Sequence, residues 1–330
     1  MVRRFLPVFI AIVCILHPLA LSAPQRKLIV VATIPPLASI AKEVGGDLVE
    51  VYYLVPPGSD PHQYAMTPKD LELVRLCDLF IAVGREGFLG ALPENPGRIK
   101  LSWESWLSSG VYIKDGNPHY LWLYPPNAAK VAERIYEALV RLDPKDRDYY
   151  YERLTLFKKK MEELDKWARN TVKAYGVEGA RVALVGKHFE PLIEWLGMKI
   201  VGVLLPTGGA VASPTGLAEF EEEIKRKEAE VIVVLATQRY GDEGRLGEAV
   251  SRDTGVPVVY LYGIPLDPSD TYTEFIKYNT AALISSIVSG SGRGVEGINP
   301  LMAWSAFGIL TAIAVIEALI IKTGWSPRSR

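Results

Sequence analysis

The chain has 330 residues, 49% of them hydrophobic, which is enough for two compact lobes with sizeable cores. Its 37 lysines and arginines against 38 acidic residues give a formal net charge of −1, which excludes the basic excess typical of nucleic-acid-binding proteins. Of its two cysteines, Cys14 lies in the first apolar segment, so the body has a single cysteine, Cys77, and an intrachain disulfide there is excluded. Cys77 lies at the edge of an apolar run and is predicted to be a small core residue.

The first 23 residues have the three parts of a secretory signal. Two arginines precede the apolar run FLPVFIAIVCILHPLAL, and the small pair Ser22-Ala23 closes the segment. We therefore predict that residues 1–23 are a signal peptide and that the body is exported, with an uncleaved N-terminal anchor as the alternative. Cys14 lies too early in this segment to be a lipid-anchored cysteine at a cleavage site.

Short apolar runs rich in β-branched residues then alternate with helical patterns. KLIVVAT, VEVYYLV and DLFIAVG predict strands, whereas PPLASIAKEVGG and TPKDLELVRLC predict helices, the second capped by Thr67. The amphipathic stretch NAAKVAERIYEALVRL predicts a further helix. This alternation is typical of an α/β lobe with a mainly parallel sheet, which we place at residues 24–143.

A helical pattern of roughly 30 residues follows, which is long for a globular domain. We interpret residues 144–175 as a helix that links two lobes, and a solvated coiled-coil arm is the alternative. The linking helix is preferred because strand and helix patterns alternate again after it, from ARVALVG to TYTEFIKYNTAALISSIVSG. Residues 176–288 are therefore predicted to form a second α/β lobe.

The end of the chain predicts a membrane anchor. Residues 289–300 have the composition of a flexible tether, and the apolar residues 301–321 reach about 31 Å as a helix, which is the thickness of a bilayer core. Their one charge, Glu317, lies near the far end. Lysine and arginine in residues 322–330 predict a cytoplasmic tail and hence an external body on the cell surface. A buried C-terminal helix is the alternative.

The three histidines of the body all lie at junctions between strands and helices. His62 follows the second strand in PPGSDPHQYAMTP, His119 precedes the last helix of the first lobe, and His188 follows the first strand of the second lobe. Ligands bind open parallel sheets outside the carboxyl ends of the strands, so two facing edges would bring the three imidazoles into one cleft. Imidazole is a ligand for zinc and its neighbours. Taken singly, each histidine can also be explained as a turn residue or a hydrogen-bonded surface residue.

A tetrahedral site needs a fourth donor. Asp267, after the last strand of the second lobe, is the first candidate, and Asp270 is the second, although it also fits a helix cap. Three nitrogens favour zinc, with manganese next because it prefers more oxygen donors.

Four stretches of the body resemble the zinc/manganese-type solute-binding proteins of ABC importers. In family order they are LVPPGSDPHQYAMTPKDLELVRLCDLFIAVG, NPHYLWLYPPNAAKVAERIYEALVRLDP, KHFEPLIEWLGMKIVGVL and LDPSDTYTEFIKYN. The resemblance implies two α/β lobes joined by one long helix, a metal site in the cleft between the lobes, and delivery of the ion to a membrane permease driven by a cytoplasmic ATPase. It also implies the metal ligands, which are His62, His119, His188 and Asp267.

The chain departs from this family pattern in several places. Asn117 and Tyr124 stand where the second motif often has aspartates, and the loop before Asp267 matches poorly. The histidine-rich loop of some zinc-specific members is missing. The C-terminal apolar span replaces the usual free or lipid-anchored form.

Other functions compete with a metal-delivering receptor, which is not an enzyme. A zinc-dependent hydrolase would use the three histidines and a nearby general base, for which Glu190 is the closest acid in sequence. A binding protein for a corrinoid or siderophore would instead line its pocket with aromatic residues such as Trp103, Trp106 and Trp122. A surface adhesin is a further alternative.

Overall fold

The computed structural model describes residues 26–93, 95–206 and 212–290. The predicted signal peptide, membrane span and cytoplasmic tail lie outside these residues, as does the predicted tether except for its first two residues. Within the described ranges, no helix combines the length and the hydropathy that crossing a bilayer requires.

The first lobe contains a four-stranded parallel sheet with the strand order β2-β1-β3-β4. Its strands are β1 (Leu28–Ala32), β2 (Val49–Tyr53), β3 (Leu79–Ile81) and β4 (Ile99–Leu101). Its helices are α1 (Pro35–Gly45), α2 (Pro68–Leu76), α3 (Trp103–Ser108), α4 (Tyr120–Leu123) and α5 (Pro125–Leu142). The sequence pattern does not indicate β4, α3 or α4, because elements of three to six residues are too short to show a hydrophobic period.

The start of α2 shows how local sequence sets an element's boundary. Thr67 Oγ1 accepts the backbone N–H of Asp70 at 3.3 Å, and the Asp70 carboxylate accepts the backbone N–H of Thr67 at 2.7 Å. This reciprocal pair satisfies two amides that the first helical turn leaves without partners, and Pro68 occupies a position that needs no donor. The predicted cap at Thr67 is therefore confirmed.

A single helix, α6 (Arg147–Ala174), runs for 28 residues between the lobes. Its buried side chains recur every three or four residues, from Tyr150 to Val172, so it presents one continuous apolar stripe. That stripe packs on α1 and α5 of the first lobe and on the last helix of the second. The helix is thus a packed link between lobes, as predicted, and not a solvated coiled-coil arm.

The second lobe repeats the architecture with a parallel sheet in the order β6-β5-β7-β8. Its strands are β5 (Arg181–Gly186), β6 (Lys199–Leu205), β7 (Val231–Leu235) and β8 (Val258–Leu261). Its helices are α7 (Glu190–Trp195), α8 (Pro214–Arg226), α9 (Asp242–Thr254) and α10 (Tyr272–Gly290). Both sheets are therefore parallel and flanked by helices, as the alternating sequence pattern predicts.

Alternate residues of β5 face two different apolar layers. Val182 and Leu184 belong to a core that extends through both lobes, whereas Ala183 and Val185 belong to a smaller core beneath α8 and α9. The period of two along a strand produces this division. Because both faces of the strand are buried from Val182 onward, its sequence is apolar after Arg181, which is typical of a parallel sheet.

We expect Cys77 to be unreactive in the native protein. Its side chain is buried, and burial, helped by the neighbouring charge of Asp78, raises the pKa of the thiol to about 12. Since the thiolate is the reactive form, iodoacetamide at pH 8 should label Cys77 only after denaturation. Peptide mapping by mass spectrometry distinguishes Cys77 from Cys14, and labelling of native Cys77 at the denatured rate would contradict the packing described.

Candidate metal site

His62 lies on a short turn, Pro61–Gln63, at the carboxyl end of the first sheet. The Asp60 carboxylate accepts the backbone N–H of His62 at 2.9 Å and thereby caps this turn. Its other oxygen accepts the side-chain amide of Gln238, in the second lobe, at 2.7 Å. Asp60 therefore fixes the backbone that carries His62 and also connects it to the opposite lobe.

His119 lies immediately before α4, and Asn117 holds its ring. Asn117 Oδ1 lies 2.8 Å from His119 Nδ1 and also accepts the backbone N–H of His119 at 3.1 Å. The amide nitrogen of Asn117 donates to the second lobe, to the carbonyl of Lys187 at 3.1 Å and to Glu190 at 3.2 Å. Asn117 stands where the family motif often has an aspartate. Its amide oxygen nevertheless supports the ring of His119 as a carboxylate oxygen would.

His188 lies on the turn Lys187–Phe189 that follows β5. Its Nδ1 faces His119 Nε2 at 3.1 Å, across the cleft between the lobes. Its Nε2 lies 3.1 Å from the carboxylate oxygen Oε1 of Glu243. One ring therefore contacts the first lobe at one nitrogen and an acidic side chain of its own lobe at the other.

The three imidazoles form a compact group at the meeting of the two lobes. One ligand atom from each of His62, His119 and His188 lies within 4.8 Å of the others. Two nitrogens bound to the same tetrahedral zinc at about 2.0 to 2.1 Å lie about 3.3 Å apart, and the facing nitrogens of His119 and His188 are separated by 3.1 Å. The spacing of this pair matches the coordination sphere of a single ion, and the third imidazole lies beside it.

The structure does not bring Asp267 into this group. Asp267 is exposed, and its Oδ1 accepts the backbone N–H and the hydroxyl of Ser269 at 2.8 and 2.6 Å. Asp270, the second candidate, accepts the backbone N–H of Asp267 at 3.0 Å. Both carboxylates thus find donors within their own loop, which explains why a position after the last strand does not bring them to the histidines.

Glu243 is the acidic residue that the sequence analysis missed. It lies in the first turn of α9, where acidic residues are common because they complement the helix dipole. Only the fold shows that one of its oxygens contacts His188 and that the other is buried without a hydrogen-bond partner. An acid at a helix start carries no sequence signal that separates these roles.

The surroundings of the site bear on the competing functions. Glu190 is buried, accepts a hydrogen bond from the Asn117 amide at 3.2 Å and forms an ion pair with Lys114 at 3.0 Å, so it is not a free general base for hydrolysis.

An aromatic pocket for a corrinoid or siderophore is also not formed by the three tryptophans. Trp103 and Trp106 are buried, and the indole N–H of Trp106 donates to the carbonyl of Ala82 at 2.8 Å. Of the three, only Trp122 lines the cavity beside the histidines. The indole N–H of Trp122 donates to the carbonyl of Gly263 at 2.7 Å, so that ring fixes one lobe against the other.

Burial favours the neutral form of His119 and His62. It lowers the pKa of His119 well below the ordinary value, and the neighbouring His188 and His62 add to the effect. Burial and then His188 also lower the pKa of His62. Neutral imidazole is the form that binds metal, so protons compete less well for His119 and His62 than for free histidine.

We expect the metal-free protein to lose stability as the pH falls below about 6.5, the ordinary pKa of histidine. The unfolded chain takes up protons there, whereas folded His119 and His62 take them up only at lower pH, so acidification favours the unfolded state. Urea unfolding at pH 7.5 and 5.5 measures this loss. His119→Gln should reduce the pH dependence, and an unchanged dependence in that variant would contradict the assignment.

Comparison with known proteins identifies a family for most of the chain. The model of the family described as "ZnuA: Zinc-uptake complex component A periplasmic" matches residues 30–286. The chain is 24% identical over 260 residues to the "Manganese-binding lipoprotein MntA" of Halalkalibacterium halodurans, covering 76% of this chain and 85% of the relative. It is also 24% identical over 295 residues to the "Iron ABC transporter substrate-binding lipoprotein MtsA" of Streptococcus pyogenes serotype M1, covering 83% and 93%.

Solved structures share the fold. The periplasmic zinc binding protein TroA from Treponema pallidum superposes with a TM-score of 0.67 at 20% identity, over 79% of this chain and 99% of that one. The nickel complex of FpvC from P. aeruginosa gives 0.66 at 23% identity, over 80% and 98%. At these identities the similarity shows that the two-lobed architecture is shared.

Proposed function

Because the chain belongs to the ZnuA family, we propose that it is the metal-binding receptor of an ABC importer. It binds a divalent ion outside the cytoplasm and delivers it to a membrane permease that a cytoplasmic ATPase drives. The observation that carries this proposal is the group of three imidazoles, held within 4.8 Å of one another at the cleft between the lobes.

We propose His62, His119 and His188 as the ligands. Their contribution is three nitrogens, a set that favours zinc, with manganese as the second choice because it prefers oxygen. Relatives of the chain carry names that specify manganese or iron, and one solved neighbour is named for zinc. For Asp267 to act as the fourth ligand, as the sequence resemblance implies, its loop would have to release Ser269 and move to the cleft.

A zinc-binding titration tests the ligand assignment. His62→Ala should weaken zinc binding by on the order of 100-fold or more, since losing a direct ligand costs at least as much as losing a residue that only supports one. Isothermal calorimetry with zinc, repeated with manganese, measures the affinity and the preference between the ions. Asp267→Ala is the control and should bind as the native protein does.

Wild-type affinity in His62→Ala would remove His62 from the site. A large loss in Asp267→Ala would show that its loop closes over the ion and would restore Asp267 as the fourth ligand.

We also propose that the receptor is held at the cell surface by residues 301–321, with residues 322–330 in the cytoplasm. The span carries one charge, Glu317, within a run long enough for a bilayer core. The relatives cited above are named as lipoproteins, so a helical anchor would serve in this chain the purpose that a lipid serves in them.

Membrane fractionation tests the anchor. The full chain should stay with membranes through an alkaline carbonate wash, whereas a version ending at Gly290 should be released, because the apolar span supplies the membrane affinity. A version lacking only residues 322–330 controls for shortening and should remain bound. Release of the full chain by the wash would rule out a spanning helix.

A further inference from the structure

We infer that Glu243 selects the nitrogen through which His188 binds the ion, so that His188 binds through Nδ1 whereas His119 binds through Nε2. Glu243 is then a positioning residue, which acts through His188 and does not itself coordinate the metal. The inference rests on the proposed metal-binding function and adds to it the orientation of two ligands and the residue that sets one of them.

The protonation of His119 follows from its neighbour. The amide nitrogen of Asn117 faces two acceptors, the Lys187 carbonyl and the Glu190 carboxylate, so the amide group cannot be turned the other way without losing both bonds. Its oxygen must therefore face His119 Nδ1, at 2.8 Å. An oxygen acceptor there requires the proton on Nδ1, which leaves the Nε2 lone pair of neutral His119 free.

The same reasoning gives the opposite result for His188. The carboxylate of Glu243 only accepts hydrogen bonds, and its Oε1 lies 3.1 Å from His188 Nε2. The proton of the neutral ring is then on Nε2, and the Nδ1 lone pair is free. The two free lone pairs belong to His119 Nε2 and His188 Nδ1, the atoms that face each other at 3.1 Å.

Two lone pairs directed at each other repel unless a cation lies between them. His119 Nδ1 and His188 Nε2, the outer nitrogens, therefore each face an oxygen acceptor. His119 Nε2 and His188 Nδ1, the inner nitrogens, leave a place for a positive ion between them. Such outer partners orient a ligating histidine and make it a stronger donor. Glu243 adds a negative charge beside a site that otherwise has three neutral ligands and a divalent ion.

The backbone around His188 is shaped for this pair. Gly186, the last residue of β5, has no side chain, and a Cβ there would lie 2.9 Å from Glu243 Oε1 and 3.0 Å from His188 Nε2. Within α9, a Cβ on Gly244 would lie 2.0 Å from the carbonyl of Arg239, so the first helical turn packs closely on the preceding loop. Glycines thus leave the space in which Glu243 reaches the ring.

Direct coordination by Glu243 fits the geometry less well. A ring binds one ion through one nitrogen, and Glu243 contacts the nitrogen of His188 that faces away from His119. The compact group of ligand atoms found among the described residues contains the three histidines without this carboxylate. The imidazole of His188 therefore lies between Glu243 and the proposed ion.

Nuclear magnetic resonance of the purified full chain with ¹⁵N-labelled histidine tests the inference, since the chain has only four histidines. Long-range ¹H–¹⁵N spectra, assigned with His119→Gln and His188→Gln, report the protonated nitrogen of each ring. With zinc, and with ¹¹³Cd for direct metal–nitrogen coupling, we expect metal on Nδ1 and a proton on Nε2 of His188, and the reverse in His119.

Three variants complete the experiment. Glu243→Ala should weaken zinc binding about 10- to 100-fold and remove the preference of His188 for a proton on Nε2. Glu243→Gln, whose amide oxygen still accepts a hydrogen bond, should keep that preference and bind with intermediate affinity. Asp242→Asn removes the same charge from the same helical turn at an exposed side chain and should change neither property. Thermal melting verifies that each variant is folded.

Several results would overturn the inference. They are coupling of ¹¹³Cd to Nε2 of His188 in the native protein, native zinc affinity in Glu243→Ala, and loss of an oxygen ligand from the zinc X-ray absorption spectrum of that variant. If the native chain binds neither ion, the proposed function fails. The metal-free spectra at pH 8 then still decide the role of Glu243: a His188 Nε2 proton that depends on Glu243 supports it, and one that does not overturns it.

Discussion

Three imidazoles from two lobes can bind one ion only if the carboxyl ends of the two sheets face each other at a fixed distance. His62 and His119 come from loops of the first lobe, and His188 follows β5 of the second. The separation of 3.1 Å between facing nitrogens of His119 and His188 leaves little tolerance, since a shift of one ångström would take one of them out of a coordination sphere. The rest of the architecture maintains that separation.

Contacts between the lobes fall into an apolar and a polar group. The helix α6 packs on elements of both lobes, and α10 also contacts α1 of the first lobe. Polar bonds cross the cleft beside the histidines: Trp122 to the carbonyl of Gly263, Gln238 to Asp60, and Lys114 to Glu190. Hydrogen bonds of this kind are directional, so they set the relative orientation of surfaces that apolar packing alone would leave free to slide.

The residues that support the ligands also connect the lobes. Asn117 binds the ring of His119 with its oxygen and the second lobe with its nitrogen. Asp60 caps the turn that carries His62 and accepts Gln238 from the second lobe. The placement of His119 and His62 is thus coupled to the arrangement of the lobes, which is a physical reason for metal binding and lobe arrangement to depend on each other.

Local patterns in the chain were enough to predict the parallel α/β lobes, the linking helix and the strand–helix junctions that carry His62 and His188, whereas His119 lies between two short helices, α3 and α4. These depend on local periodicity and on the rule that strand ends in parallel sheets gather at one edge. The packing of the folded chain, in contrast, was needed to show that Asp267 stays with Ser269 on the surface and that Glu243 reaches His188. A carboxylate binds whichever donors the fold brings nearest, and residues far apart in the chain become neighbours only through packing between elements, which no local pattern records.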